Sequence, residues 1–179
     1  MASFMFATLA SAVEIAGVKV ADQLKLGETT LELNGAGVRS KWFFDLYVGS
    51  LYLPEKTEDA SAILAKDEIQ IIQLAIISDM ITSEKMQAAT REGFDNSLGG
   101  NTEPLQTEID QFLTFFAEPI QDGDKFVIAY FPGTGIDVMK NNKTVGSIAS
   151  GVDFKQAVFG IWLSSKPAQK DLKKSMLGK

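Results

Sequence analysis

The order of elements in the sequence predicts an α+β fold in which helices pack on one face of a mostly antiparallel sheet. Strand patterns come first, then helices, then strands, then helices again. The strand patterns follow one another through short turns, which favours local hairpins over the crossovers of a parallel sheet. The chain has 179 residues, of which 45% are hydrophobic, and this length suits a single domain with a sizeable core.

The first third of the chain has the alternation and the turn residues of strands. Residues 13–20 predict two short strands or a hairpin. Residues 29–38 predict a strand that turns at Ser40-Lys41 and returns over 42–53, where Pro54 ends the pairing. Gly35 and Gly37 weaken an ordinary strand, so they indicate a bulge or the close approach of another segment.

The rest of the chain alternates between helical and strand patterns. The run EIQIIQLAII at 68–77 predicts a strand that is buried on both faces. Caps and glycines set the helix ends, with Thr57 or Asp59, Thr82 or Ser83, Thr102, Asp153 and Ser165 as candidate N-caps. The predicted helices are 58–66, 83–98, one within 101–116, 154–163 and one after Ser165, and the predicted strands are 68–77, 125–131, 136–140 and 144–149.

Composition excludes several classes of function. The chain has no Cys and no His, which removes His-based triads, Cys nucleophiles, thiolate zinc sites and imidazole ligands. We therefore expect no metal and no cofactor. A net charge of −6 argues against nucleic acid as the main partner, because phosphate binding needs a basic patch. No apolar run is long enough to predict a membrane span, and nothing indicates an oligomeric state.

The N-terminal residues have the pattern of a secretion signal. Residues 4–12 read FMFATLASA, and Ala10-Ser11-Ala12 fits the small-x-small rule for cleavage. Residues 1–12 are therefore predicted to be the remnant of a trimmed signal peptide, and 13–179 the folded domain. A periplasmic or secreted protein would follow. The alternative is a short apolar strand or arm that packs on the domain.

The hairpin at 31–54 carries the candidate binding residues. With a plain turn at Ser40-Lys41, Arg39 faces Trp42, and Tyr47 lies on the other face. Both faces are apolar, so the second face is either covered or lines a cavity. Arg39 as an anion clamp and Tyr47 as a hydroxyl donor suit a ligand with an acidic head and an apolar body. Alternatively, Arg39 is a surface residue at the turn or pairs with Asp45.

Four segments of the sequence resemble the chalcone isomerase-like family in its bacterial form. They are NGAGVR at 34–39, YVGSLYL at 47–53, FPGTG at 131–135 and GVDFKQAVFGIWL at 151–163. The resemblance covers about 15–178. It implies an open-faced β-sandwich, a large antiparallel sheet with a layer of helices on one face, which agrees with the fold predicted from the pattern.

The resemblance also separates two functions. Plant isomerases of this family close a flavanone ring, whereas related plastid proteins bind fatty acids through an Arg and a Tyr on this hairpin. Arg39 falls on the family's Arg, and Tyr47 stands where isomerases have Thr and the fatty-acid binders have Tyr. Other polar positions of the isomerases correspond to Ile77, Glu84 and Lys155. The resemblance therefore implies a binder, in which a one-residue bulge, hosted near Gly35 or Gly37, brings Arg39 and Tyr47 to one pocket.

The leading hypothesis is a non-enzymatic protein that binds a fatty acid or a similar amphipathic carboxylate. Arg39 would pair with the carboxylate, and Tyr47 would donate a hydrogen bond. The predicted apolar walls are Trp42, Phe43, Phe44, Phe94, Phe112 and Phe159. One alternative is an isomerase or lyase that acts on a phenolic, chalcone-like enone, with Arg39 and Tyr47 as its catalytic groups. The other is a non-catalytic scaffold protein without a ligand pocket.

Overall fold

The computed structural model describes residues 7–8 and 11–179, which form a curled antiparallel sheet with helices on one face. The strands are β1 (Ala7–Thr8), β2 (Ala12–Ile15), β3 (Val18–Ala21), β4 (Gln23–Leu26), β5 (Thr29–Lys41), β6 (Phe44–Leu53), β7 (Gln70–Ile76), β8 (Lys125–Phe131), β9 (Gly135–Lys140) and β10 (Lys143–Ala149). Eight of them pair in the order β1-β4-β5-β6-β7-β8-β9-β10, and β2 pairs with β3 as a separate hairpin. The predicted fold class is confirmed.

Helices pack on one face of this sheet and enclose the larger core. They are α1 (Ala60–Ala65), α2 (Ser83–Ser97), α3 (Gln106–Thr114), α4 (Val152–Leu163) and α5 (Lys170–Met176), with a 3₁₀ turn at Glu103–Leu105 before α3. Phe94, Phe112 and Phe154 stack or meet edge to face at the centre of the helix layer. The apolar faces of the helices and the sheet thus meet in one continuous core.

The opposite face of the sheet carries a second, smaller core. Val20 of β3 packs there with Leu31, Val48 and Tyr52 of the sheet, and the Tyr52 hydroxyl donates to the carbonyl oxygen of Ala21 at 2.8 Å. The hairpin β2–β3 therefore covers part of this face. This explains why the β5–β6 hairpin is apolar on both sides.

The two glycines of β5 allow α5 to lie directly on the sheet. A Cβ on Gly35 would fall against the carbonyl oxygen of Ser175, and one on Gly37 would lie 2.6 Å from the Cβ of Ser175. Asn34, beside them, accepts from the amide of Thr57 and donates to the carbonyl oxygens of Thr57 and Met176. The close approach of another segment therefore accounts for both glycines, and a register shift between Leu33 and Gly35 also places a bulge beside Gly35.

Several predicted boundaries hold, and others shift. Asp59 caps α1 through the amides of Ser61 and Ala62, and Thr82 caps α2 through the amide of Lys85, as expected.

The last helix does not start after Ser165, because Ala168 instead donates its amide to the carbonyl oxygen of Ile161 and α5 begins at Lys170. Thr102 and Asp153 make no capping bond, since the caps at these ends are Leu105 for α3 and Gly151 for α4.

Part of the N-terminal prediction lies outside the described residues. The predicted signal remnant spans 1–12, and of these the structure describes 7–8, 11 and 12. Ala7 and Thr8 pair with Lys25 and Leu24 of β4.

Candidate functional site

The β5–β6 hairpin has a different register from the one the sequence predicts. Ser40 and Lys41 belong to β5, and the turn consists of Trp42 and Phe43 instead, so the predicted turn is wrong. Trp42 has a φ of 62°, a left-handed conformation that turn chemistry assigns to Gly or Asn. An ordinary turn signal was therefore absent from the sequence at this point.

A one-residue bulge brings Arg39 and Tyr47 together. Ser40 pairs with Asp45, whereas Arg39, the residue before Ser40 in β5, pairs with Tyr47. Leu46 is therefore an extra residue in β6. The expected bulge therefore exists, but on β6 rather than at Gly35 or Gly37. A second irregularity on β5, at Asn34, lies beside Gly35 and does not set the Arg39–Tyr47 pairing.

The bulge also determines what the hairpin presents to the helices. A cavity of about 630 Å³ lies between the β5–β6 hairpin and α2, α3 and α4. Leu46 and Tyr47, although adjacent in sequence, both line it, together with Phe44. Regular strand alternation would have turned one of the two away. The wall is mainly apolar and includes Leu74, Ile81, Met86, Phe112, Phe116, Ile161 and Trp162.

Tyr47 is buried in the cavity wall with its hydroxyl held by Trp162. The indole Nε1 of Trp162 donates to the Tyr47 hydroxyl oxygen at 3.0 Å. Burial raises the pKa of Tyr47, and the hydrogen bond from Trp162 and the charge of Arg39 oppose this only in part. The phenol is therefore protonated at neutral pH, and its own O–H has no acceptor among the described residues. It can donate to a ligand atom in the cavity.

Arg39 is half-buried at the edge of the same cavity. Its Nη1 donates to the carbonyl oxygen of Ser40 at 2.6 Å and to Oε1 of Gln169 at 3.1 Å. No carboxylate of the described residues forms an ion pair with it. Asp45 instead accepts from the Ser40 hydroxyl at 2.7 Å, so the alternative of an Arg39–Asp45 pair is wrong. A guanidinium carries five N–H donors, so Arg39 has donors left for an anion.

Gln169 positions Arg39, and sequence reasoning missed it. Its Oε1 also accepts from the backbone amide of Ser40 at 2.8 Å, which ties the residue before α5 to the end of β5. A single polar residue between Pro167 and Lys170 carries no local signal of this role. Only the packing of α5 on the glycines of β5 brings it there.

The predicted aromatic walls divide into three groups. Trp42, Phe44 and Phe112 line the cavity together with Arg39 and Tyr47. Phe94 and Phe159 do not, because both are fully buried in the helix-side core, although Gly93, the residue before Phe94, does line the cavity. Phe43 points into solvent. The prediction was therefore wrong for Phe43, Phe94 and Phe159.

The exposed end of the hairpin carries three aromatic side chains in succession. We call Trp42, Phe43 and Phe44 the aromatic tip. Two of them line the cavity, and Met80, which is exposed on the loop before α2, lines it as well. Lys41 and Lys85 are exposed lining residues at the same place. The cavity mouth is therefore formed by Lys41, Trp42, Phe44, Met80 and Lys85.

The three other positions aligned with isomerase residues lie outside the cavity. Ile77 packs in the core on the opposite face of the sheet, and Glu84 is in the exposed first turn of α2. Lys155 is fully buried, and its Nζ donates to the carbonyl oxygens of Ile63 and Leu64 at 2.8 Å each. Burial lowers the pKa of Lys155 to about 8, against the opposing effect of nearby carboxylates. The Lys155 ammonium therefore binds carbonyl oxygens at the C-terminal end of α1, where a cation stabilises a helix.

Residues 7–8 and 11–179 contain no group of three or more Asp, Glu, His or Cys that could hold a metal ion. No helix in the same part of the chain has both the length and the apolar character needed to cross a membrane.

Comparison with known proteins agrees with the fold. The sequence profile described as chalcone isomerase-like matches residues 12–178. A solved fatty-acid binding protein of Arabidopsis thaliana is similar in structure, with a TM-score of 0.68 at 18% sequence identity, over 93% of this chain and 96% of that chain. At this identity the similarity concerns the fold. No curated protein matches the sequence significantly.

Proposed function

This chain belongs to the chalcone isomerase-like family, and we propose that it binds a fatty acid or a similar amphipathic carboxylate in the cavity. Arg39 pairs with the carboxylate, and Tyr47 donates a hydrogen bond to it. The observation that carries the proposal is a guanidinium at the edge of an apolar cavity that no described carboxylate neutralises. That the similar plant structure is a fatty-acid binding protein supports the choice of ligand.

The tail and the head of the ligand contribute differently to the free energy of binding. Its volume of about 630 Å³ falls within the range of small-molecule sites. Burial of the tail contributes about 0.8 kcal/mol for each methylene. A charge-assisted hydrogen bond contributes about 1.5–3 kcal/mol. Affinity therefore follows chain length, and Arg39 sets the preference for an acid over a neutral lipid.

The alternatives have less support. The positions aligned with the other polar residues of the isomerases, Ile77, Glu84 and Lys155, lie outside the cavity, which argues against ring closure of a chalcone. A cavity of this size argues against a scaffold without a pocket.

We also propose that the domain acts in the periplasm or outside the cell. The support is the cleavage pattern at Ala10-Ser11-Ala12. N-terminal sequencing of protein recovered from the periplasm would test this, and recovery only from the cytosol with residues 1–12 intact would contradict it.

The decisive experiment compares a fatty acid with the alcohol of the same chain length. Calorimetric titrations would use the wild type, Arg39→Gln and, as a matched control, Arg91→Gln. Arg91 is the only other arginine of the chain, pairs with Asp110 on the surface and does not line the cavity. Before titration, mass spectrometry of organic extracts would identify any lipid that copurifies.

We expect Arg39→Gln to weaken binding of the acid by about tenfold to a hundredfold, the equivalent of one charge-assisted bond. Binding of the alcohol should stay the same within about twofold in all three proteins. Equal losses for acid and alcohol would mean that Arg39 supports the fold of the site rather than the carboxylate. Undiminished acid binding by Arg39→Gln would refute the clamp.

A further inference from the structure

The aromatic tip contributes little buried area to the packing of the domain. Trp42, Phe43 and Phe44 are 84%, 96% and 51% exposed, and Met80 beside them is 42% exposed. Scattered exposed apolar residues are common on soluble proteins, whereas a contiguous patch indicates a contact surface. Three successive aromatic side chains at the end of a hairpin form such a patch.

Turn chemistry does not explain the aromatic tip either. Trp42 occupies a left-handed conformation, with a φ of 62°, which Gly or Asn would adopt at lower cost. A bulky aromatic residue there costs stability and contributes little burial. The side chains are therefore better explained by what they contact outside the domain than by the stability of the hairpin.

The position of the patch relates it to the cavity. Trp42, Phe44 and Met80 are exposed and also line the cavity, so the patch and the cavity mouth form one surface. Whatever covers the aromatic tip thus also faces the opening through which a ligand enters.

The charges at this surface differ in sign from the chain as a whole. The lining residues include the cations Arg39, Lys41 and Lys85 and a single carboxylate, Glu92, although the chain has a net charge of −6. An apolar patch with Lys41 and Lys85 beside it suits the surface of a bilayer that contains anionic lipid, although the exposed carboxylates of Asp45 and Asp79 also lie next to it in the sequence. Trp is also the side chain most suited to the boundary between headgroups and acyl chains.

A second copy of the chain is a poorer match for the patch. Even fully covered, the exposed parts of the three aromatic side chains would bury at most about 600 Å². A stable protein interface buries about 800 Å² on each partner. Insertion into lipid needs no complementary partner surface, so a small convex tip is sufficient.

We propose that the aromatic tip inserts into the interface of an anionic lipid bilayer and so places the cavity mouth against the membrane. Trp42 and Phe43 enter the boundary between headgroups and acyl chains, while Lys41 and Lys85 contact anionic headgroups. An amphipathic acid can then move between the bilayer and the cavity without crossing water. This last step rests on the proposed function, whereas the docking itself does not.

The test uses Phe43→Ser, because Phe43 belongs to the aromatic tip but does not line the cavity. Co-sedimentation would be measured with vesicles of phosphatidylcholine and phosphatidylglycerol and with vesicles of phosphatidylcholine alone. Val13→Ser is the matched control, since Val13 is 43% exposed on β2 and lies outside the cavity lining. Fatty-acid binding without vesicles would be titrated for each protein.

A second readout locates the insertion. The chain has two tryptophans, of which Trp162 is buried and Trp42 exposed. Brominated phosphatidylcholine in the vesicles should quench the Trp42 fluorescence, and Trp42→Phe should abolish this quenching.

We expect the wild type and Val13→Ser to bind the mixed vesicles equally, and Phe43→Ser to partition about tenfold to a hundredfold less, the factor for one buried aromatic side chain. Binding should be weaker to phosphatidylcholine alone.

Equal partitioning of Phe43→Ser and wild type would overturn docking through the tip. Docking would also be overturned if the wild type did not bind vesicles and instead formed a concentration-dependent dimer that Phe43→Ser abolishes. Retained acid binding by Phe43→Ser would show that only docking is lost, and vesicle binding without acid binding would refute the proposed function alone.

Discussion

Replacing Gly35 with Ala tests the packing of α5 on β5. The new Cβ would fall against the carbonyl oxygen of Ser175 and lie 2.9 Å from the amide nitrogen of Gly178. Both are backbone atoms, so no rotamer change relieves the contact. The C-terminal end of α5 would have to move away from the sheet.

The expected cost follows from two opposing effects. Overpacking of this kind costs about 1–3 kcal/mol, and movement of α5 would also expose part of Leu172 and Met176, whose full burial contributes about 1.5–3 kcal/mol each. Loss of glycine entropy in the unfolded chain offsets about 0.4–1 kcal/mol. We expect Gly35→Ala to lower the free energy of unfolding by about 3 kcal/mol.

Urea denaturation followed by circular dichroism would measure this loss, with Gly49→Ala as the control. A Cβ on Gly49 would have Leu172 Cδ1 as its nearest neighbour at 3.4 Å, an ordinary contact, so its stability should be unchanged or slightly raised. Because Gln169 immediately precedes α5, Gly35→Ala should also weaken binding of the fatty acid. Equal stability of the two variants would refute the close approach of α5.

Four further substitutions, two of them combined, test the core and the site. Gly37→Ala should lower the free energy of unfolding by about 1–2 kcal/mol, measured by urea denaturation. Adding Ser175→Gly should recover part of this loss. Purely additive losses would contradict the contact between positions 37 and 175. Tyr47→Phe leaves the Trp162 indole without its acceptor and should cost about 1–3 kcal/mol of unfolding free energy by the same method, so an unchanged stability would mean that another group replaces the hydroxyl. The folded-state pKa of Lys155 is lowered to about 8 from 10.5, so the unfolded chain binds more protons between these values. The stability of wild type relative to Lys155→Met should therefore rise as pH increases through that window, and a constant difference in denaturation midpoints would refute it.

The architecture could be predicted from the sequence because the hydrophobic pattern of each segment is a local property. The run at 68–77 predicts a strand covered on both faces, and β7 lies in the sheet between β6 and β8 with Ile71 and Ile72 fully buried. Gly35 and Gly37 indicate that something approaches β5. They do not identify α5, since a missing side chain permits many neighbours.

The details of the site depend on geometry that residue types do not encode. The bulge is at Leu46, which has no turn or bulge preference, and the turn places Trp42 where Gly is expected. The resemblance to fatty-acid binders nevertheless placed Arg39 and Tyr47 at one pocket. Helical periodicity predicts that Phe94 is buried, but whether it faces the cavity or the core depends on how α2 is rotated against its neighbours.

The packing of α5 has a consequence for synthesis of the protein. Arg39 and its partner Gln169 are 130 positions apart. On the ribosome the β5–β6 hairpin emerges early, with its guanidinium unsupported. The proposed anion clamp is completed only after Gln169 has been made and α5 has docked on the glycines of β5. Long-range contacts of this kind form late in folding, because closing a long loop costs entropy. The proposed binding of the acid therefore follows synthesis of almost the whole domain, because Ile161 and Trp162 of the cavity wall are also made late.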